Sequence, residues 1–173
     1  IIADNTYLYL GTDNGILVYN YRTDKYEQPD TDFPTDVRTM VLQGDTLWIG
    51  SLNGLYTYQL KSRQLNHFDS KQTGLPHNTI YSIIHTKDNQ IYIGTYNGLC
   101  RYVQASEKFE NILLPVNRGG SNLFVNSLLE DTTRQCIWIG MEGYLFQYNP
   151  TIGEMKAIEV FHNNSIKSLA LDG

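Results

Sequence analysis

Apolar residues fall in short runs along this chain, separated by breaks rich in Gly, Asn and Asp. The clearest case is Leu47-Trp48-Ile49-Gly50-Ser51-Leu52-Asn53-Gly54-Leu55-Tyr56-Thr57-Tyr58. An apolar run centred on an aromatic meets Asn53-Gly54, and a second aromatic-rich run follows. Aromatic and aliphatic runs of this length suit strands, and Asn-Gly tolerates the positive φ of a hairpin turn. The stretch therefore predicts two strands joined by a turn. The same pattern recurs without gaps at residues 8–19, 91–102 and 137–148.

The first glycines of these copies are Gly11, Gly50, Gly94 and Gly140. Their spacing falls in the range of roughly 40–50 residues that marks propeller blades rather than one continuous core. A second motif precedes or follows each hairpin: Val37-Arg38-Thr39, Ile80-Tyr81-Ser82, Val125-Asn126-Ser127 and Ile166-Lys167-Ser168. Each places a small hydroxyl residue two positions after an aliphatic one. Small residues let backbones converge, as an innermost strand requires. Behind each hairpin comes a weaker run alternating polar and apolar residues, starting at Lys25, Arg63, Lys108 and Glu154. That alternation fits a half-exposed outer strand.

The repeat thus predicts four strands per unit, A to D from axis to rim, in an all-β propeller of four-stranded antiparallel blades. A β-solenoid is the rival, but its coils are shorter than this period. Blades are expected at 1–29, 36–68, 79–114 and 124–161, with an extra inner strand at 165–171. The chain opens inside a blade, on Ile1-Ile2-Ala3, and ends on an inner strand without a partner. Both ends read as cut from a longer array. The segment 165–171 could close onto Tyr7–Gly11 of its own chain as a four-bladed ring, but four blades shaped for a larger ring should splay, so an open arc is expected, completed by other blades of the parent propeller or by a second copy of the chain. Trp48 and Trp138 share a column with Tyr9 and Tyr92 and are expected in the core. The tyrosine column Tyr19, Tyr58, Tyr102 and Tyr148 is expected to pack between blades.

The formal net charge of −5 argues against nucleic acid and against anionic membrane surfaces, which need a basic patch. No apolar run reaches the ~18 residues of a membrane span, and the opening residues carry no signal-peptide pattern. Cys100 and Cys136 occupy different positions of the repeat, so they read as buried thiols rather than a disulfide framework.

Candidate chemistry is sparse. His67, His77, His85 and His162 share no metal-ligand spacing, and no serine or cysteine sits in a nucleophile elbow. The short run Asp30-Thr31-Asp32 falls short of a calcium cage. The repeated glycines mark backbone crowding rather than a phosphate cradle. No metal, cofactor or catalytic residue is expected. The remaining candidate is one face of the propeller, where D–A entry loops and B–C turns emerge together. Its best residues are Tyr96, Asn97 and Glu142 from turns, and His77, Asn78, Arg118 and Asn122 from entry loops. Asp13, Asn14, Asn53, Asn117, His162 and Asn163 belong to the same face. Amides match sugar hydroxyls and a ring stacks on an apolar sugar face, although turns are rich in Asn and Asp for their own reasons.

Gly74-Leu75-Pro76-His77-Asn78-Thr79-Ile80-Tyr81-Ser82-Ile83 and Gln90-Ile91-Tyr92-Ile93-Gly94-Thr95-Tyr96-Asn97-Gly98-Leu99 resemble the two halves of the two-component regulator propeller repeat. The resemblance extends over essentially the whole chain, with Gly143-Tyr144 replacing the Asn-Gly pair in the fourth copy. It implies the periplasmic sensor region of hybrid two-component histidine kinases, with oligosaccharide as the ligand. Such sensors also carry more blades, a β-sandwich, a membrane helix and a kinase, so signalling output is not expected in these residues. The function expected is therefore non-catalytic ligand sensing, most simply of an oligosaccharide. A protein–protein interaction scaffold is the alternative. A propeller lyase or glycosidase would need converging acid and base groups, and no such pair is found.

Overall fold

Backbone pairing follows the sequence repeat through four successive four-stranded antiparallel sheets. The computed structural model describes residues 1–27, 29, 32–116, 123–158 and 164–172. The first sheet contains β1 (Ile2–Ala3), β2 (Tyr7–Thr12), β3 (Gly15–Asn20) and β4 (Lys25–Glu27). The second contains β5 (Val37–Gln43), β6 (Thr46–Ser51), β7 (Leu55–Gln59) and β8 (Leu65–Phe68). β9 (Ile80–His85), β10 (Ile91–Thr95), β11 (Gly98–Val103) and β12 (Lys108–Ile112) form the third. The fourth is β13 (Val125–Asp131), β14 (Cys136–Met141), β15 (Leu145–Asn149) and β16 (Glu154–Ile158). Each sheet is an up-and-down meander, the blade of a propeller.

The inner strands carry most of the contacts between blades two, three and four, β5 packing on β9 and β9 on β13, while in blade one the short β1 and its neighbour β2 both pack on β5. No comparable contact joins the first sheet to the fourth among the described residues. In blades two to four the inner strand bulges opposite the repeated glycine, setting Thr39 against Gly50, Ser82 against Gly94 and Ser127 against Gly140. A bulge adds a residue and sharpens the local twist, which suits a strand at a crowded axis.

The glycines are sockets for the next blade. A Cβ built on Gly50 would stand 2.6 Å from Ile80 Cγ2, and one on Gly94 would stand 2.6 Å from Val125 Cγ1. Gly11 meets Val37 at 2.6 Å and Gly140 meets Ile166 at 2.7 Å in the same way. Each aliphatic that opens an inner-strand motif therefore seats on the glycine of the blade before it. This explains why the two motifs recur as a pair.

Aromatic columns complete the joints. Trp48 is 3% exposed and meets Tyr102 of the next blade edge-on at 4.8 Å. Tyr92 meets Tyr148 at 6.4 Å, and Tyr9 packs in one cluster with Tyr58. Offset and edge-on ring pairs of this kind add about 0.5–1.5 kcal/mol beyond area burial. Tyr19 differs because no blade precedes its own in this chain: its hydroxyl donates to Asp24 and its ring meets Tyr21 and Tyr26.

Two expectations change. Trp138 is only half-buried, and its indole N–H donates to Asp131 at 3.1 Å. Its column points toward the following blade, and no sheet stands there in this chain. Likewise, the segment 165–171 does not form the expected inner strand. It makes one isolated bridge, Ser165 with Glu142, and Ile166 N–H donates to Met141 O at 3.1 Å. An inner strand ladders with the second strand of its own blade, and none follows it here. The entry loop at 69–79 holds a short helix, α1 (Ser70–Thr73). Cys100 and Cys136 are both buried and free, and burial pushes the Cys100 thiol pKa well up.

Candidate functional site

Antiparallel meanders put the B–C turns and the D–A entry loops at one end of every blade. The hydrogen bonds show how the two are joined. Asp36 N–H donates to Asp13 O at 2.9 Å, and Thr79 Oγ1 donates to Leu52 O at 3.1 Å. Gly98 N–H donates to Leu123 O at 2.9 Å, and Gly143 N–H to Asn164 O at 2.6 Å. In each case an entry loop lies on the turn of the preceding blade. The turns themselves are braced by a hydroxyl directly after the repeated glycine. Thr95 Oγ1 donates to Gly98 O at 3.0 Å and accepts Asn97 N–H at 3.1 Å. Thr12 and Ser51 do the same in blades one and two. Gly98 completes the turn at φ 117°, a conformation open to glycine. This hydroxyl column was missed in the sequence, where Thr12, Ser51 and Thr95 could have revealed it; Met141 breaks it in blade four.

The site forms at the border of blades three and four. The Tyr96 ring, on the β10–β11 turn, lies 4.9 Å from the His77 ring and 4.2 Å from Phe124, which it meets edge-on. Tyr81, at the start of β9, adds a further ring 6.3 Å from Phe124. All four side chains are half-buried, so each keeps part of its surface exposed. Tyr96 N–H donates to Thr79 O at 2.9 Å, tying the turn to the loop that carries His77. Thr79 N–H donates to His77 Nδ1 at 3.0 Å. That bond leaves Nε2 to carry the proton of the neutral ring, as a donor.

The expected site residues separate into groups. His77 and Tyr96 come together. Asn97 is exposed on the same turn, with its backbone N–H held by Thr95. Glu142 is exposed on the turn of blade four, bridged to Ser165. Asn78 has a structural role: its Oδ1 accepts Ser70 N–H at 2.8 Å and its Nδ2 donates to Asp69 at 3.2 Å. Arg118 and Asn122 lie outside the described residues, as do Asn117, His162 and Asn163. Phe124 and Tyr81 were not expected. They are not repeat columns, so no periodicity singled them out.

Asp69 is the N-cap of α1, its Oδ1 accepting Lys71 N–H at 2.7 Å. This bond, with help from Asn78, holds its carboxyl below the usual carboxylate range. A depressed carboxylate stabilises the fold above its unfolded pKa, and that stabilisation is lost as pH falls through the folded value. Asn78→Ala is expected to loosen α1, costing about 1 kcal/mol. Lower hydrogen-exchange protection factors at Ser70 and Lys71, measured against the intrinsic rate at each pH and falling further as Asp69 is protonated, check this; unchanged protection would show that Asn78 does not hold the loop.

Chemically the cluster is an aromatic shelf with one imidazole donor. Among the described residues no group of three or more His, Cys, Asp or Glu could hold a metal ion. No described helix is long and apolar enough to cross a membrane.

Residues 74–97 match the model of the two component regulator propeller family. The chain is 76% identical to the extracellular domain assigned to the hybrid two component system BT4673 from B. thetaiotaomicron, with a TM-score of 0.96. That match covers 100% of this chain and 23% of that one, so this chain spans under a quarter of its relative. The extracellular domain assigned to BT3049 from B. thetaiotaomicron is 19% identical with a TM-score of 0.70, over 87% of this chain and 22% of that one. PorZ, a surface component of the type-IX secretion system of Porphyromonas gingivalis, is 16% identical with a TM-score of 0.68, over 98% and 28%. The last two show the fold alone. Comparison with curated proteins gives no match.

Proposed function

We propose that this chain, built of two-component regulator propeller repeats as in the extracellular sensor regions of hybrid two-component systems, binds an oligosaccharide and does no chemistry on it. The chain is extracytoplasmic, as its relatives are. The observation that carries the reading is the cluster of His77, Tyr96 and Phe124. The half-buried rings offer their exposed apolar surface to the C–H face of a sugar, and the His77 Nε2–H and exposed Asn97 supply groups for its hydroxyls. Arg118 and Asn122 come from the entry loop that also carries Phe124, and they join the proposed ligand set. The outer faces of blades one and four receive further blades of the same parent propeller, in keeping with the greater length of the BT4673 domain.

Calorimetric titration with neutral oligosaccharides tests this. Replacing Tyr96 and Phe124 together by alanine is expected to weaken binding at least tenfold, from the loss of stacking on two rings. Unchanged affinity, or hydrolysis of the bound glycan, would overturn the proposal.

A further inference from the structure

Neighbouring blades splay toward the rim, and the wedges between them open at the end that carries the A–B and C–D turns. This end is opposite the His77 cluster. Three such wedges can be compared. The wedge between blades one and two holds about 150 Å³, lined by Tyr7, Tyr9, Val18, Tyr58 and Leu60 with Glu27 and Arg63 at its edge. The wedge between blades three and four holds about 400 Å³ and gathers Lys87, Asp88, Glu130 and Asp131 around Tyr92. Between blades two and three the cavity is about 450 Å³, and its lining is different in kind. It carries five carboxamides, Gln43, Gln59, Gln64, Asn66 and Gln104, over Trp48, Phe68 and Tyr102. The position in the repeat is the same in all three, so fan geometry alone does not account for the amides.

Strand register explains how they meet. Val41, Trp48 and Thr57 are cross-strand partners, and Thr57 pairs with Asn66. Two residues further along, Gln43 pairs with Thr46 and Thr46 with Gln59, and Gln59 N–H donates to Gln64 O. Side chains alternate between faces, so both rows look toward blade three. Polarity rises from the buried tryptophan row to the amide row at the mouth. Gln104 and Glu107 belong to the β11–β12 turn of the facing blade.

Partner accounting shows which groups are committed. Gln43 accepts the Trp48 indole N–H at 3.0 Å and donates to Asn89 Oδ1 at 3.0 Å, so it fixes the floor. Gln59 Oε1 accepts Thr46 Oγ1–H at 3.2 Å, and Gln64 Nε2 donates to Asn66 Oδ1 at 3.4 Å. Among the described residues, the amino groups of Gln59 and Asn66, the carbonyl of Gln64 and the whole carboxamide of Gln104 have no hydrogen-bond partner and remain for a ligand. These are neutral donors and acceptors in roughly equal number, with one carboxylate, Glu107, at the rim. Such a lining suits neither an ion nor a greasy ligand. It suits a neutral molecule dense in hydroxyls, each able to donate and accept. The volume is that of a small-ligand site, and the half-buried Phe68 and Tyr102 rings offer an apolar wall.

We propose that the wedge between blades two and three is a second binding site, for a neutral saccharide unit, separate from the His77 cluster. The test is calorimetry of the full chain against maltose, cellobiose, xylobiose and mannobiose. At least one disaccharide is expected to bind. The double variant Gln64→Ala, Gln104→Ala alters two exposed side chains and is expected to keep the parent melting temperature while weakening that disaccharide about tenfold or more. Tyr96→Ala with Phe124→Ala is expected to leave it unchanged. No binding by any of the four, or equal binding by the amide variant, overturns the proposal. Loss of binding in the aromatic variant alone places the sugar on the His77 cluster and also overturns it. Loss in the amide variant alone, for disaccharides and longer chains alike, leaves this site standing and removes the one proposed above.

Discussion

Trp48→Ala is expected to lower the stability of the chain by about 3–5 kcal/mol, the range for deleting a buried aromatic. The indole is 3% exposed, stacks on Phe68 at 6.1 Å and meets Tyr102 of the next blade at 4.8 Å. Its removal empties the joint between blades two and three and leaves Gln43 without the N–H it accepts. For a chain of this size the melting temperature should fall on the order of 10 °C. Trp138→Ala is the internal control. That side chain is half-buried with no blade beyond it in this chain, so its loss should be clearly smaller. Equal losses at the two positions would show that the column's depth is not set by the following blade.

Gly94→Ala is expected to cost about 2–3 kcal/mol although it adds one methyl group, because overpacking a filled joint forces backbone shifts. The new Cβ would stand 2.6 Å from Val125 Cγ1 and 2.8 Å from Val125 O. The second neighbour is backbone, so no rotamer change relieves the contact. Gly44→Ala separates this from ordinary glycine strain. Gly44 has φ 57° and nothing within 4 Å of a built Cβ, so its cost is conformational and about 1 kcal/mol. Denaturant midpoints at unchanged slope measure both. A Gly94 variant no weaker than the Gly44 variant would mean that the glycine column is not a socket.

The blades were legible because their signals repeat: the hairpin, the glycine and the inner-strand hydroxyl each return at the same offsets, and four weak signals in step outweigh one strong one. What the sequence reading missed depends on single residues or on neighbours in space. The burial of Trp138 could not be taken from its column, since burial belongs to the joint and not to the strand. Asn78 reads as a surface amide until α1 is seen, and then it is the group that holds the helix start. The signal for α1 was present in Asp69 and in Gly74, which caps it at φ 84°, but four residues carry too little periodicity to stand out. Phe124 and Tyr81 lie outside the repeat columns, so only the fold brings them to Tyr96. The carboxamides of the second wedge are scattered from position 43 to 104 and become one lining through cross-strand register.

The His77 cluster also has a mechanical meaning. His77 enters blade three, Tyr96 turns within it, and Phe124 enters blade four. A rigid molecule seated on all three would act as a strut across a hinge, resisting the rocking of one sheet against the next. Occupancy would then be felt as stiffness in the arc, a quantity that travels along a row of jointed plates without any strand changing its pairing.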